Sequence, residues 1–379
     1  MQPYLFEGDE HAELRRQARR FAQERIAPQA AAWEEAEEFP RALYGEAGEA
    51  GLLGVGYPEE WGGSGGDFGH MLVVAEEFVV AGTSVGTTVG LGSHGIALPP
   101  IVRFGDDAQR ERFVRPVLAG EKVSALAITE PGCGSDVASL RTRARRDGDH
   151  YVVDGVKTFI TSGRRADLVT CAVRTGDAGH AGISLLVIER GTPGFRVSRK
   201  LKKTGWWASD TAELSFDECR VPVKNRIGEE GAGFAAIMAN FVTERLALAG
   251  QCVAIASLAH AESIRFAQAR EAFGRPLVGF QVTRHRLADM ATRVAAARAL
   301  VGEGVTRYLA GDARPSLAAM AKNAASDACS EVCDHAVQIH GGMGYMRETL
   351  VERLNRDARL YPIGGGTREI MNELIAKSY

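Results

Sequence analysis

The apolar residues of this chain change their period twice, and that constrains the fold more than any other feature. In the first third, Leu14, Ala18, Phe21, Ala22 and Ile26 recur at helical spacing until Pro28 interrupts the run. MLVVAEEFVVAG continues the helical theme after a glycine-rich loop at WGGSGGD. From about residue 124 the period becomes two. TAELSFDECRV alternates Ala212, Leu214 and Phe216 with polar neighbours, as a half-buried strand does. HYVVDGVKTFIT holds an Asp154-Gly155 dipeptide between strand-like arms and predicts a hairpin there. After GEEGAGF the helical period resumes: Leu287, Met290, Ala291, Val294, Ala297 and Val301 form one face of a long helix, and AKNAASDACSEVCDHAVQIH predicts another. The expected fold is α+β and mainly α: a helical domain over 1–122, a compact β-sheet domain over 123–232 and an antiparallel helical bundle over 233–379.

Several function classes drop out on composition and spacing. A formal charge of -3, with lysines and arginines scattered among acids, provides no basic stripe for nucleic acid. No continuous apolar run approaches the roughly 18 residues of a bilayer span, and the start MQPYLFEGDEHAEL lacks a signal-peptide core, so a cytoplasmic protein is expected. The cysteines at 133, 171, 219, 252, 329 and 333 form no CxxC pair, so no metal site or disulfide framework is expected; Cys329 and Cys333, one helical turn apart, read as core residues. GLGSHG at 90–95 fits G-x-G-x-x-G, but IALPP follows it, and two prolines are expected to prevent the helix that a dinucleotide site requires.

Three stretches carry candidate chemistry. In TEPGCGSD, Gly132 and Gly134 let backbone approach a ligand while Thr129 and Ser135 offer hydroxyls; alone this reads equally as a turn. In NFVTERLALAG, Glu244 shares a helix face with Phe241, Ala247 and Leu248. An acid interrupting an apolar stripe must be paired, protonated or functional, and desolvation raises its pKa. In YPIGGGTREIMNELI the glycines lead into a helix that Thr367 is placed to cap.

LAITEPGCGSD, GVKTFITSGRRAD and QIHGGMGY, together with REAFGRPL, DTAEL and GGGTREI, resemble the signatures of the acyl-CoA dehydrogenases, flavoenzymes that desaturate acyl thioesters. The resemblance implies that family's fold, with a C-terminal four-helix bundle, and FAD as cofactor. It implies that Leu126, Ile128, Thr129, Gly134 and Ser135 line the isoalloxazine and pyrophosphate, with Ser135 also reaching the CoA substrate. Phe159 takes the place of an aromatic ring, often tryptophan, against the flavin face away from substrate; Ile160 lies beside it and Thr161 near the flavin N5. Arg270 resembles the residue that pairs with pyrophosphate across a subunit interface, with Phe273, Phe280 and Gln281 in the same segment. Gln338, Ile339, Gly341 and Gly342 resemble the part that meets the adenylate side of a neighbour's FAD, and Thr367 and Glu369 belong to the flavin segment near the C-terminus. His340, among these glycines, is expected to be structural. A homotetramer built as a dimer of dimers, and an electron-transfer flavoprotein as acceptor, are implied as well.

Many family members carry the catalytic base in a Tyr-Glu-Gly-Thr segment, where this chain has Gly365. An isovaleryl-CoA and long-chain subset carries it on the long helix after the sheet, in a motif ending Glu-Arg, which matches Glu244 and Arg245. By resemblance Glu244 is the base, and Ser135, Arg245, Gly365 and Gly366 contact substrate, with the amide of residue 365 and a flavin ribityl hydroxyl holding the thioester carbonyl. The expected reaction is α-proton removal by Glu244 with β-hydride transfer to flavin N5, giving a trans-2-enoyl-CoA. An oxidase using O2 and a non-catalytic acyl-CoA binding or assembly homologue stay open. So does acyl chain length, for which Trp206 and Trp207 either border the channel or pack in a loop.

Overall fold

A computed structural model describes residues 8–379. Its N-terminal part is helical: α1 (Asp9–Phe21), α2 (Ala30–Glu35), α3 (Ala42–Glu49), α4 (Phe68–Val80), α5 (Val85–Leu91), α6 (His94–Ala97), α7 (Pro99–Phe104), α8 (Asp107–Gln109) and α9 (Arg115–Leu118). The face read from the first helical run is the buried one: Ala18 on α1, and Ala22 and Ile26 in the π-helical turn that continues it, are fully enclosed. Asp67 starts α4 with a capping box, accepting from the amides of Gly69 (2.8 Å) and His70 (3.2 Å). The expectation that Pro99 and Pro100 prevent a helix is overturned. They occupy the first turn of α7, where no intrahelical N–H is needed, so they start a helix. No strand precedes GLGSHG, which runs from α5 into α6.

The central sheet comprises β1 (Ser124–Ala127), β2 (Arg143–Asp147), β3 (His150–Thr161), β4 (Leu168–Arg174), β5 (Ile183–Glu189), β6 (Phe195–Lys200), β7 (Thr211–Pro222) and β8 (Arg226–Ile227). Strand order is β6-β7-β3-β2-β4-β5-β8, with β1 parallel to β4. The hairpin expected at Asp154-Gly155 is absent. Those residues lie inside β3 at a bulge, and β2 turns into β3 one step earlier, around Gly148, where Asp147 pairs with His150. The bulge brings Gly155 so close to β2 that a Cβ there would stand 2.5 Å from Thr142 Oγ1. A second irregularity, between Lys157 and Ile160, sets Phe159 at φ +61° and turns its ring outward, 69% exposed.

The Lys157 side chain is fully enclosed. Its Nζ donates to Glu130 Oε1 (2.8 Å) and to the carbonyl of Ile128 (2.9 Å). Glu130 also accepts from the amides of Arg141 (2.7 Å) and Thr142 (2.9 Å). Burial alone would raise the Glu130 carboxyl, but the Lys157 charge and these donors hold it below its ordinary value. This pair fastens the TEPGCGSD loop to the sheet.

The C-terminal part contains three long antiparallel helices, α10 (Gly233–Ala269), α11 (Gln281–Leu309) and α12 (Pro315–His340), followed by α13 (Leu350–Ala358) and α14 (Arg368–Ala376). A short β-ribbon, β9 (Glu271–Ala272) with β10 (Arg275–Pro276), joins α10 to α11. On α11, Leu287, Met290, Val294, Ala297 and Val301 are buried as expected, whereas Ala291 faces outward. Cys329 and Cys333 are core residues. The reading that nothing apolar is long enough to span a bilayer also needs correction. By length and composition α10 qualifies, yet 67% of its apolar window is buried inside the fold, because α12, α11 and α4 pack along it and α13, α7 and α6 touch it.

Candidate active site

A cavity of about 1250 Å³ opens where the helical domain, the sheet and the bundle meet. Its sheet wall takes in Leu126, Ile128, Thr129, Gly134, Ser135, Phe159, Ile160 and Thr161. Facing it are Glu244 and Leu248 on α10 and the turn Gly365–Thr367, while α4 and α5 close the side with Leu72 and Val89. Twelve sequence-predicted positions are thereby brought together from segments far apart in the chain.

Glu244 is half-buried, and what it exposes faces the cavity. Its Oε2 makes no hydrogen bond. Burial pushes its carboxyl up to about 7, against the opposing pull of Arg245 and Lys322. Across from it, Gly365 (φ +65°) and Gly366 (φ +100°) adopt left-handed backbone. A Cβ at 365 would stand 3.5 Å from Glu244 Oε1 and 2.5 Å from Leu248 Cδ1. A Cβ at 365 would therefore touch the Glu244 carboxylate, and a longer side chain would compete with it for one place. The amides of Gly365 and Gly366 have no hydrogen-bond partner among the described residues, so both remain available as donors. Thr367 caps α14, its Oγ1 accepting from the Ile370 amide at 3.4 Å.

Gly365→Ala is expected to lower both stability and turnover. The left-handed backbone costs a side chain about 1–2 kcal/mol, and the new methyl meets Leu248. Adding Leu248→Ala is expected to recover part of the denaturation midpoint but not the turnover, since the methyl still narrows the space before Glu244. Full turnover in the single variant would contradict the shared-space reading.

Other predicted residues lie elsewhere. Arg245 does not line the cavity: it is buried behind the turn, donating from Nε to the Gly365 carbonyl (3.3 Å) and stacking on Phe241. Glu369 is exposed on α14. Arg270, Phe273, Phe280, Gln281, Gln338, Ile339, Gly341 and Gly342 gather at the far end of the bundle, where α10 ends, α11 begins and α12 ends. At the helical rise Arg270 lies roughly 39 Å along α10 from Glu244. Phe273 is 96% exposed, and Arg270 has no carboxylate partner among the described residues. His340 stacks on Phe266 and donates from Nδ1 to Ala336, a structural role. Trp206 borders the cavity, its amide donating to Asp357 Oδ1 (2.6 Å), whereas Trp207 is held between Arg347 and Arg356.

Two features escaped the sequence reading. Lys322, on α12, donates from Nζ to the carbonyls of Gly366 (2.7 Å) and Tyr361 (2.9 Å) and so fastens the glycine turn. Its spacing from Ala318 and Ala325 on one helical face was the available signal. The Lys157–Glu130 pair was the other, signalled by a lysine set among the apolar residues of a strand.

These residues fit a flavin. Phe159 presents an exposed ring to the cavity, hydroxyls of Thr129, Ser135 and Thr161 share its wall, and a Cβ added at Gly132 would meet nothing within 4 Å. Fold and site together define a three-part enzyme with a half-buried carboxyl beside a largely apolar, ring-lined cavity. Comparisons with known proteins agree: the acyl-CoA dehydrogenase N-terminal, middle and C-terminal domain models match residues 8–121, 125–219 and 231–379. An acyl-CoA dehydrogenase of Bacillus subtilis is 39% identical, covering 97% of each chain. The mitochondrial long-chain specific acyl-CoA dehydrogenase of Sus scrofa is 38% identical over 98% of this chain and 86% of its own. A probable acyl CoA dehydrogenase from Mycobacterium abscessus, known by crystal structure, is 53% identical with TM-score 0.97, covering 98% of this chain and 99% of that one. A glutaryl-CoA dehydrogenase from Mycobacterium smegmatis, solved in complex with FADH2, is 25% identical with TM-score 0.92 over 98% and 95%. The chain belongs to the acyl-CoA dehydrogenase family, and its cofactor is FAD.

Proposed function

We propose that this protein desaturates an acyl-CoA thioester between its α and β carbons, with Glu244 as the base. The observation that carries this reading is the carboxylate of Glu244, held without a hydrogen bond at Oε2, opposite two unpartnered backbone amides. In the proposed reaction the Gly365 amide donates to the thioester carbonyl oxygen, which stabilises negative charge there as the α proton leaves. Glu244 accepts that proton. FAD, when bound, supplies the acceptor for the hydride that leaves the β carbon. Phe159 covers the cavity wall, and the apolar lining from α4 and α5 excludes water.

The bundle-end residues support a second proposal, that two copies complete each other's cofactor sites within a homotetramer. They are too far from Glu244 to serve their own cavity. For the returning electrons we propose an electron-transfer flavoprotein.

Anaerobic titration of the purified yellow protein with a panel of acyl-CoA thioesters tests the reaction. Rapid bleaching by one class of thioester is expected, and its absence with every chain length would overturn the reading. Peroxide formation in air, at the rate of substrate loss, would instead identify an oxidase.

The pH dependence follows from the base. Glu244 acts only when ionised, so kcat/KM is expected to fall below about pH 7, where burial places its carboxyl. An acid limb near the ordinary glutamate value would contradict a desolvated base.

A further inference from the structure

Lys322 is 1% exposed, and no carboxylate lies within ion-pair distance of it among the described residues. A buried ammonium bonded only to two carbonyls is costly unless an anion compensates it nearby. The position of Gly365 shows which anion is near. A Cβ built there would stand 3.6 Å from Lys322 Cε and 3.5 Å from Glu244 Oε1, so the two side chains border the same glycine.

We propose that Lys322 is a positioning residue for the base: it holds the 361–366 turn through two carbonyls and supplies positive potential that favours the ionised form of Glu244. This rests on the dehydrogenase reading above and deepens it. The lysine does two jobs with one group. Holding the Tyr361 and Gly366 carbonyls pins both ends of the turn that carries the free amides, and the charge offsets the desolvation of the carboxylate. Burial pushes the ammonium itself down to about 8, with Arg245 adding to the push, while Cys252 and then Glu244 pull it back up. The two groups therefore stabilise each other's charged forms.

The charges that bear directly on Glu244 are those of Arg245 and Lys322, while Arg103, Lys202, Lys203, Arg356 and Arg359 line other parts of the same cavity. α10 contributes Arg245 beside Glu244, and α12 contributes Lys322. The turn contributes Tyr361, whose hydroxyl donates to Gln251 Oε1 at 3.0 Å and which burial keeps neutral. α4 presents Leu72 and α11 presents the Tyr308 ring to the same cavity. Arg368, at the start of α14, bears on Lys322 and is itself paired with Asp327.

The test follows the Glu244 carboxyl by difference infrared spectroscopy on the FAD-loaded protein, using the band lost in Glu244→Gln. Its midpoint is expected about one pH unit higher in Lys322→Met and Lys322→Gln than in the native protein, and unchanged in Lys322→Arg, which keeps the charge. The acid limb of kcat/KM is expected to move with it. Equal midpoints in all variants, or turnover lost uniformly across pH at a fixed midpoint, would overturn the proposal and leave a purely structural lysine. Failure of all three variants to fold would do the same. If no thioester bleaches the native protein, the dehydrogenase reading fails, yet the infrared midpoint still decides whether Lys322 acts on Glu244.

Discussion

Glu244→Gln is expected to lower the rate of flavin bleaching by the cognate thioester about 10³-fold, within the range that a positioned general base contributes. The amide keeps the shape of the side chain, so FAD content and thioester binding should stay near those of the native protein. Stopped-flow reduction under anaerobic conditions is the measurement. Undiminished reduction would remove Glu244 from the mechanism. The same substitution should also stabilise the fold. A carboxyl raised to about 7 in the folded chain makes a stability contribution that is fully present below its unfolded value and lost as pH rises through 7. Above pH 7 the native protein therefore carries a cost on the order of 3 kcal/mol that glutamine lacks. Denaturation midpoints of the two proteins should converge near pH 4 and separate above pH 7.

Lys157→Met is expected to produce the largest loss of stability, roughly 3–5 kcal/mol, because it leaves the Glu130 carboxylate buried without its cation. The pair is deep, with the lysine side chain fully enclosed and the glutamate 8% exposed. The TEPGCGSD loop should loosen with it, so FAD retention should fall alongside the denaturant midpoint. Adding Glu130→Gln should recover only part of the loss, since the amides of Arg141 and Thr142 would then face a weaker acceptor. A midpoint within about 1 kcal/mol of native in the single variant would show that the pair fastens nothing.

Glu244 was legible because an acid on an apolar helical stripe contradicts the stripe, and the contradiction is visible within seven residues. The hairpin was misplaced for an equally local reason. Asp147-Gly148 and Asp154-Gly155 carry the same turn signal, and what separates them is β7, which pairs along β3 on both sides of the second dipeptide and turns it into a bulge. The prolines of IALPP were misjudged because their effect depends on position within a helix: interior prolines break one, and these two begin one. Lys322 was hidden because the carbonyls it binds arrive 39 and 44 residues later, in a turn with no periodic pattern.

The order of helix, sheet and helix, the cap at Thr367 and an acid placed against an apolar face were properties of the sequence itself, since side-chain period and capping chemistry act over a few residues. Only the tertiary structure decided that α10 and a turn 120 residues further on share one cavity, that Gly365 leaves its side-chain space open beside Glu244, and that Lys322 borders the same glycine. The physical reason is that a periodic pattern reports which face of an element is apolar but not which faces meet. Desolvation and charge pairing, which set the behaviour of the base, exist only after they have met.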